Sequence, residues 1–130
     1  MRVGWWALLA FTATGLGLEY LHAIKLASYL TEAGEPRRLM WTLGHAHGTA
    51  LAILNIVFAV TLRSGLVRTD GRLRAISMCL IAATVLLPIG FWLGGVSFYG
   101  GDPGVGGVGI PVGAVLLIAA IGLIAVRVDR

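Results

Sequence analysis

Four uninterrupted apolar stretches, about Trp5 to Tyr29, Leu39 to Leu62, Ala75 to Phe98 and Val108 to Val126, take up most of this 130-residue chain. Each exceeds the ~18 residues at which an apolar run is long enough to cross a membrane. In hydrocarbon an unpaired backbone N–H or C=O costs several kcal/mol, so a spanning segment must pair its own groups as a helix or close into a barrel. A barrel needs alternating polar and apolar positions, and these runs do not alternate. The expectation is an all-α fold, a single integral membrane bundle of four transmembrane helices. Composition agrees: 58% of residues are apolar and 12% charged, against about a half and a quarter in soluble domains. The first stretch follows Arg2 and so also suggests a secretory signal. Glu19, His22 and Lys25 then appear without an Ala-x-Ala cleavage site, and the segment is expected to remain as a helix.

Charge sets the orientation. Arg63, Arg68, Arg72 and Arg74 separate the second and third stretches, Arg2 precedes the first, and Arg127 and Arg130 follow the fourth. The opposite side has Arg37 and Arg38, partly offset by Glu32 and Glu35. The excess of basic residues belongs in the cytoplasm, which predicts that both termini lie there. Trp5, Trp6, Trp41, Tyr29, Tyr99 and Trp92 fall near the expected helix ends, where amphipathic rings settle at headgroup level. The net charge of +4 does not indicate nucleic acid, because the basic residues sit at helix ends without interleaved exposed aromatics. Cys79, the lone cysteine, can form neither an internal disulfide nor a cysteine-based metal site.

Within the stretches, Gly44 and Gly48, Gly90 and Gly94, and Gly109 and Gly113 are spaced four apart, a pattern that lets helix backbones approach closely. Pro88 is expected to kink the third helix, and Pro111 sits near the start of the fourth, where its missing N–H costs little.

The polar residues inside the runs carry the functional information. Glu19, His22 and Lys25 recur every three residues along one side of the first helix, and intramembrane charge normally faces a bundle interior or a water-filled cavity. The second helix adds His45, His47 and, two turns deeper, Asn55. Counting about 1.5 Å per residue from Tyr29 and Leu39 puts the three histidines roughly 9 to 12 Å below the outer surface. His22 is therefore expected to meet one of the other two, and only one, since positions two apart point about 160° from each other on a helix. Glu19-x-x-His22 has the i, i+3 spacing of di-iron bundles, but the other helices lack the further carboxylates such a site requires. Paired imidazoles suit haem b, and histidines with Glu19 suit a copper or zinc ion. A quinone, proton or small-solute site is a further option. Against these stands a purely structural role, in which Glu19, His22 and Lys25 form a network that fixes helix register, with Lys25 snorkelling outward.

The connection from Gly94 to Gly107 is rich in glycine but has no Gly-Lys-Ser/Thr and no preceding strand, which excludes a nucleotide-binding loop. Asp102-Pro103-Gly104 is good turn chemistry, and the alternative is a lid over the histidine layer with Tyr99 and Asp102 as its polar contacts.

The run Arg37-Arg38-Leu39-Met40-Trp41-Thr42-Leu43-Gly44-His45-Ala46-His47-Gly48, with Pro88-Ile89-Gly90-Phe91-Trp92-Leu93-Gly94-Gly95 and Gly100-Gly101-Asp102-Pro103-Gly104, resembles a group of small, uncharacterised bacterial four-helix membrane proteins. The resemblance implies a bacterial inner membrane and the same topology, and brings no activity with it. His45-Ala46-His47 is also similar to the paired histidines of haem–copper oxidase-like membrane subunits, over three residues and without the further helices of such subunits. The functional expectation is a bundle with a polar His/Glu/Lys pocket near the periplasmic side that binds a metal, haem or small ligand. The alternative is an accessory or structural subunit of a larger membrane complex with no site of its own; the expected partners are the lipid bilayer and either further copies of the chain or that larger complex. No catalytic set is visible; an enzyme built from Glu19 and His22 would be a metal- or haem-dependent oxidoreductase.

Overall fold

The computed structural model describes residues 1–67 and 70–128, apart from the side chain of Glu32. Arg68 and Arg130, counted above among the basic residues, lie outside the described residues. The chain is mostly helical: α1 (Arg2–Ala23), a short α2 (Ala27–Leu30), α3 (Glu35–Arg63), α4 (Leu73–Gly94) and α5 (Gly109–Ala125). Single 3-10 turns precede α3 and α5. A two-residue hairpin, β1 (Phe98–Tyr99) and β2 (Asp102–Pro103), interrupts the α4–α5 connection. Three helical segments, 35–63, 73–94 and 105–125, are long and apolar enough to cross a membrane. α1 matches α4 in length, but Glu19, Tyr20 and His22 fall in its last turns.

Three helix boundaries depart from the apolar runs, each for a local reason. α1 stops at Ala23, six residues before Tyr29, because Lys25 takes a left-handed conformation with φ of 50°. The Lys25 N–H then donates to His22 O at 3.1 Å and the Leu26 N–H to Leu21 O at 3.2 Å, a Schellman closure that normally uses glycine. α3 begins at Glu35, earlier than the apolar run, since Pro36 stands in its first turn beside an acidic residue, both favourable at a helix start. α4 ends at Gly94, and the residues after it turn back. Gly100 (φ 60°) and Gly101 (φ 89°) form the hairpin turn that pairs Tyr99 with Asp102. The turn is thus made by the glycine pair, with Asp102-Pro103 in the returning strand.

The long helices alternate in direction and pack in a row, α1 on α3, α3 on α4 and α4 on α5. Glycines set each seam. A side chain at Gly48 would overlap the Phe11 ring of α1, one at Gly44 would stand 2.6 Å from the Trp92 indole of α4, and one at Gly113 would stand 2.8 Å from Leu87. Two apolar clusters fill the α3–α4–α5 half: Phe58, Ile76, Leu80 and Ala120 towards the chain-terminal end, and Leu51, Leu87 and Phe91 towards the hairpin. α1 stands outside both and buries only Gly4, Gly15 and Leu18.

Arginines tie down both ends. At the hairpin end, Arg37 donates from Nε to Gly95 O (3.2 Å) and from Nη2 to Val96 O (3.5 Å), and Arg38 donates from Nη1 to Tyr29 O (3.0 Å) and Thr31 O (3.1 Å). Tyr29, Trp41 and Trp92 stack there, and Trp41 Nε1 donates to Trp92 O at 3.2 Å. At the other end Arg127, 7% exposed, pairs with Asp70 at 3.2 Å and caps Leu123 O at 2.7 Å. The Arg72 amide, which donates to Asp70 Oδ1, and the Arg127 guanidinium hold the Asp70 carboxyl below its ordinary value.

Candidate functional site

The two histidines of α3 point to different neighbours, as their spacing requires. His45 lies against α1, its ring filling the space that a side chain on Gly15 would occupy. His47 lies against α4, stacked on Phe91 with ring centroids 4.8 Å apart. Each Nδ1 meets a backbone carbonyl: His45 that of Phe11 at 2.7 Å, across the helix seam, and His47 that of Leu43 at 2.8 Å, within its own helix. A carbonyl only accepts, so Nδ1 carries the proton in both rings, and the neutral ring keeps Nε2 as a bare acceptor.

Beside His45 a cleft of about 330 Å³ opens along the α1–α3 seam, lined by Thr12, Gly15, Leu16, Leu18, Glu19, Thr42 and His45. Glu19 reaches it from the flank of α1 that also carries Thr12 and Leu16, positions seven and three residues away on one helical face. The floor exists because residue 15 is glycine. One turn further along the His45 face, the Thr49 hydroxyl oxygen is buried without a hydrogen-bond partner among the described residues. A buried hydroxyl left unpaired costs on the order of 1–3 kcal/mol, and Thr49 lies outside the cleft lining.

The other sequence-predicted residues are placed elsewhere. His22 lies in the last turn of α1 and is exposed. It stands seven residues from Gly15, about 10 Å along the axis, so it does not share a layer with His45. The expected coincidence of depth fails because it was counted from Tyr29, whereas the helix ends at Ala23. Lys25 lies beyond that end, exposed, in the left-handed position that closes α1. Asn55 is buried at 8% exposure and donates from Nδ2 to Leu51 O (2.9 Å) and to Thr84 Oγ1 (2.7 Å), a clamp between α3 and α4. Tyr99 is 92% exposed and Asp102 is exposed, both in the hairpin, which folds as a turn. Among the described residues no three His, Cys, Asp or Glu side chains gather as a metal site would require.

Thr12, Gly15 and Thr42 entered the cleft without having been singled out. Thr42 stands three residues before His45 and Thr49 four after it, the spacing of one helical face, so hydroxyl periodicity around the histidine was the available signal. Thr12 and Gly15 had none, since nothing local says which face of α1 meets α3. Comparison with protein-family models, with curated proteins and with solved structures gives no match.

Proposed function

We propose that this chain crosses a bacterial inner membrane four times with both termini in the cytoplasm, and that the α1–α3 cleft binds a small amphiphile whose head donates hydrogen bonds, an ammonium above all. Four crossings are supported by helix length: the 22 residues of α1 rise about 33 Å, enough for the ~30 Å hydrocarbon core. Glu19, Tyr20 and His22 then fall near the headgroups. The alternating helices gather Arg2, Arg63, Arg72, Arg74 and Arg127 at one end, against Lys25, Arg37 and Arg38 at the other, which favours cytoplasmic termini. With Cys79→Ser as background, an impermeant maleimide applied to intact cells is expected to label Tyr99→Cys and not Gly71→Cys. Labelling of the second from outside reverses the topology.

The observation that carries the ligand class is the His45–Phe11 hydrogen bond. It fixes the tautomer, so the neutral ring offers an acceptor in a cleft whose one charged wall, Glu19, is an acceptor as well. Thr12 and Thr42 add hydroxyls, and Leu16 and Leu18 an apolar wall. One carboxylate and one imidazole fall short of the three or four protein ligands of a typical zinc site, and neither His22 nor His47 lines the cleft to pair with His45 across a haem, so an organic cation is the better fit. The volume lies near the lower end of small-molecule pockets, about 300 Å³. Titration of octylamine and octanoate into phosphatidylcholine nanodiscs holding the protein separates the classes, with empty nanodiscs subtracted. Octylamine is expected to bind saturably, about tenfold or more weaker in Glu19→Gln and His45→Phe, the loss of a hydrogen bond to a charged group. Equal binding of octanoate, or indifference to both substitutions, defeats the proposal.

A further inference from the structure

A second hollow, of about 220 Å³, lies at the hairpin end and is lined by Leu21, Leu26, Ser28, Tyr29, Arg37 and Trp41, none of which lines the cleft. Its charged member is Arg37. Arg37 is half-buried, its guanidinium carbon 5.7 Å from the centroids of both Trp41 and Phe98, and it spends Nε and Nη2 on the carbonyls of Gly95 and Val96. Among the described residues Nη1 makes no hydrogen bond and no carboxylate pairs with Arg37. A guanidinium that lies near two aromatic rings and keeps donors unused suits a planar or tetrahedral oxyanion. The rest of the lining sorts into two kinds. Ser28 offers a hydroxyl without a hydrogen bond among the described residues, while Leu21 and Leu26, the two residues joined by the Schellman hydrogen bond that ends α1, form an apolar wall. The hollow is smaller than the roughly 300 Å³ at which pockets begin to hold a whole ligand, so it suits the head of a molecule whose remainder lies outside. It is also built from the helix ends of α1 and α3, which in the membrane-spanning arrangement proposed above stand at headgroup level.

We propose that this hollow binds the phosphate of a phospholipid, with Arg37 Nη1 and the Ser28 hydroxyl on the phosphate oxygens and the start of an acyl chain against Leu21 and Leu26. Bound in this way the lipid ties the α1–α2 corner to the start of α3. The site goes beyond the ammonium cleft: it takes the opposite charge and shares no residue with it.

Native mass spectrometry of protein released from nanodiscs that contain phosphatidylglycerol and a phosphate-free galactolipid in equal amounts tests this. The native chain is expected to retain phosphatidylglycerol about tenfold over the galactolipid, the scale of one charge-assisted hydrogen bond. Arg37→Gln is expected to lose that preference, and Arg63→Gln, at the opposite end, to keep it. Leu26→Trp fills the hollow without touching the hydrogen bonds of Arg37, so it too is expected to lose the preference while circular dichroism remains native. It guards against an Arg37 variant that fails to fold. Equal retention of the two lipids by the native chain, or a preference that survives in Leu26→Trp, overturns the proposal. Displacement of the retained lipid by millimolar inorganic phosphate would show a site for the free anion and would overturn the lipid assignment.

Discussion

α3 presents two faces, and each carries a polar group into a helix seam. Towards α4, Asn55 is buried and spends its amide on Leu51 O and Thr84 Oγ1, while Thr84, at 3% exposure, donates in turn to Leu80 O. Each of these donors finds its acceptor within the α3–α4 pair. Towards α1, His45 spends one nitrogen on Phe11 O and keeps the other, Thr49 keeps an unused buried oxygen, and Glu19 stands at the rim of an open cleft. Polar groups therefore serve two ends. In the closed seam Asn55 and Thr84 act as a fastening; where α1 leaves a cleft open against α3, His45 and Glu19 stay available to a guest.

This contrast breaks if the two faces respond alike to substitution. Asn55→Ala removes an interhelical hydrogen bond and leaves a void in a closed seam. Interhelical hydrogen bonds in membrane proteins average about 0.6 kcal/mol and reach about 1.7, and a small unfilled cavity adds to that, so a loss of about 2 kcal/mol is expected. His45→Phe keeps the ring shape over Gly15 and gives up one hydrogen bond at an open seam, for an expected loss below about 1 kcal/mol. Equilibrium unfolding in mixed micelles with SDS reads both, and octylamine titration gives the reverse ranking, with His45→Phe the damaging change and Asn55→Ala neutral. If Asn55→Ala also weakens octylamine, the two seams are coupled through α3 and the division between them fails.

Much of the architecture was legible in the sequence because it follows from the solvent and from period alone. Apolar runs bounded by arginines located the long helices, and the two-residue spacing of His45 and His47 predicted that only one would face α1. The glycine pairs marked close approach, although Gly44 and Gly48 turned out to serve opposite neighbours, Trp92 of α4 and Phe11 of α1. What stayed hidden depended on a single backbone angle or on tertiary register. Asn55 looked like a candidate for a site until Thr84, 29 residues away, appeared as its partner. The end of α1 carried no glycine or asparagine to announce it, so the helix read six residues too long and His22 was drawn to the wrong depth.

That end supplies the smallest test. Lys25 occupies the left-handed region at φ 50°, where a non-glycine residue costs roughly 1–2 kcal/mol. Glycine removes this strain and gives back part of the gain through the greater freedom of the unfolded chain, and it also removes a cation from the negative end of the α1 dipole. The balance favours a Lys25→Gly variant more stable by about 0.5 kcal/mol, read in the same SDS titration. It also bears on the open seam itself, because the sequence put Lys25 in one set with Glu19 and His22, whereas the fold puts it past the helix end and outside the cleft lining. Octylamine affinity should therefore be the same in Lys25→Gly as in the native chain. A variant that gains stability and leaves that affinity untouched separates the residue that ends α1 from the residues that receive the guest. If binding changes by tenfold in either direction, Lys25 acts on the cleft, and the α1–α3 seam extends as a functional unit up to the corner that Arg38 and Tyr29 hold in place.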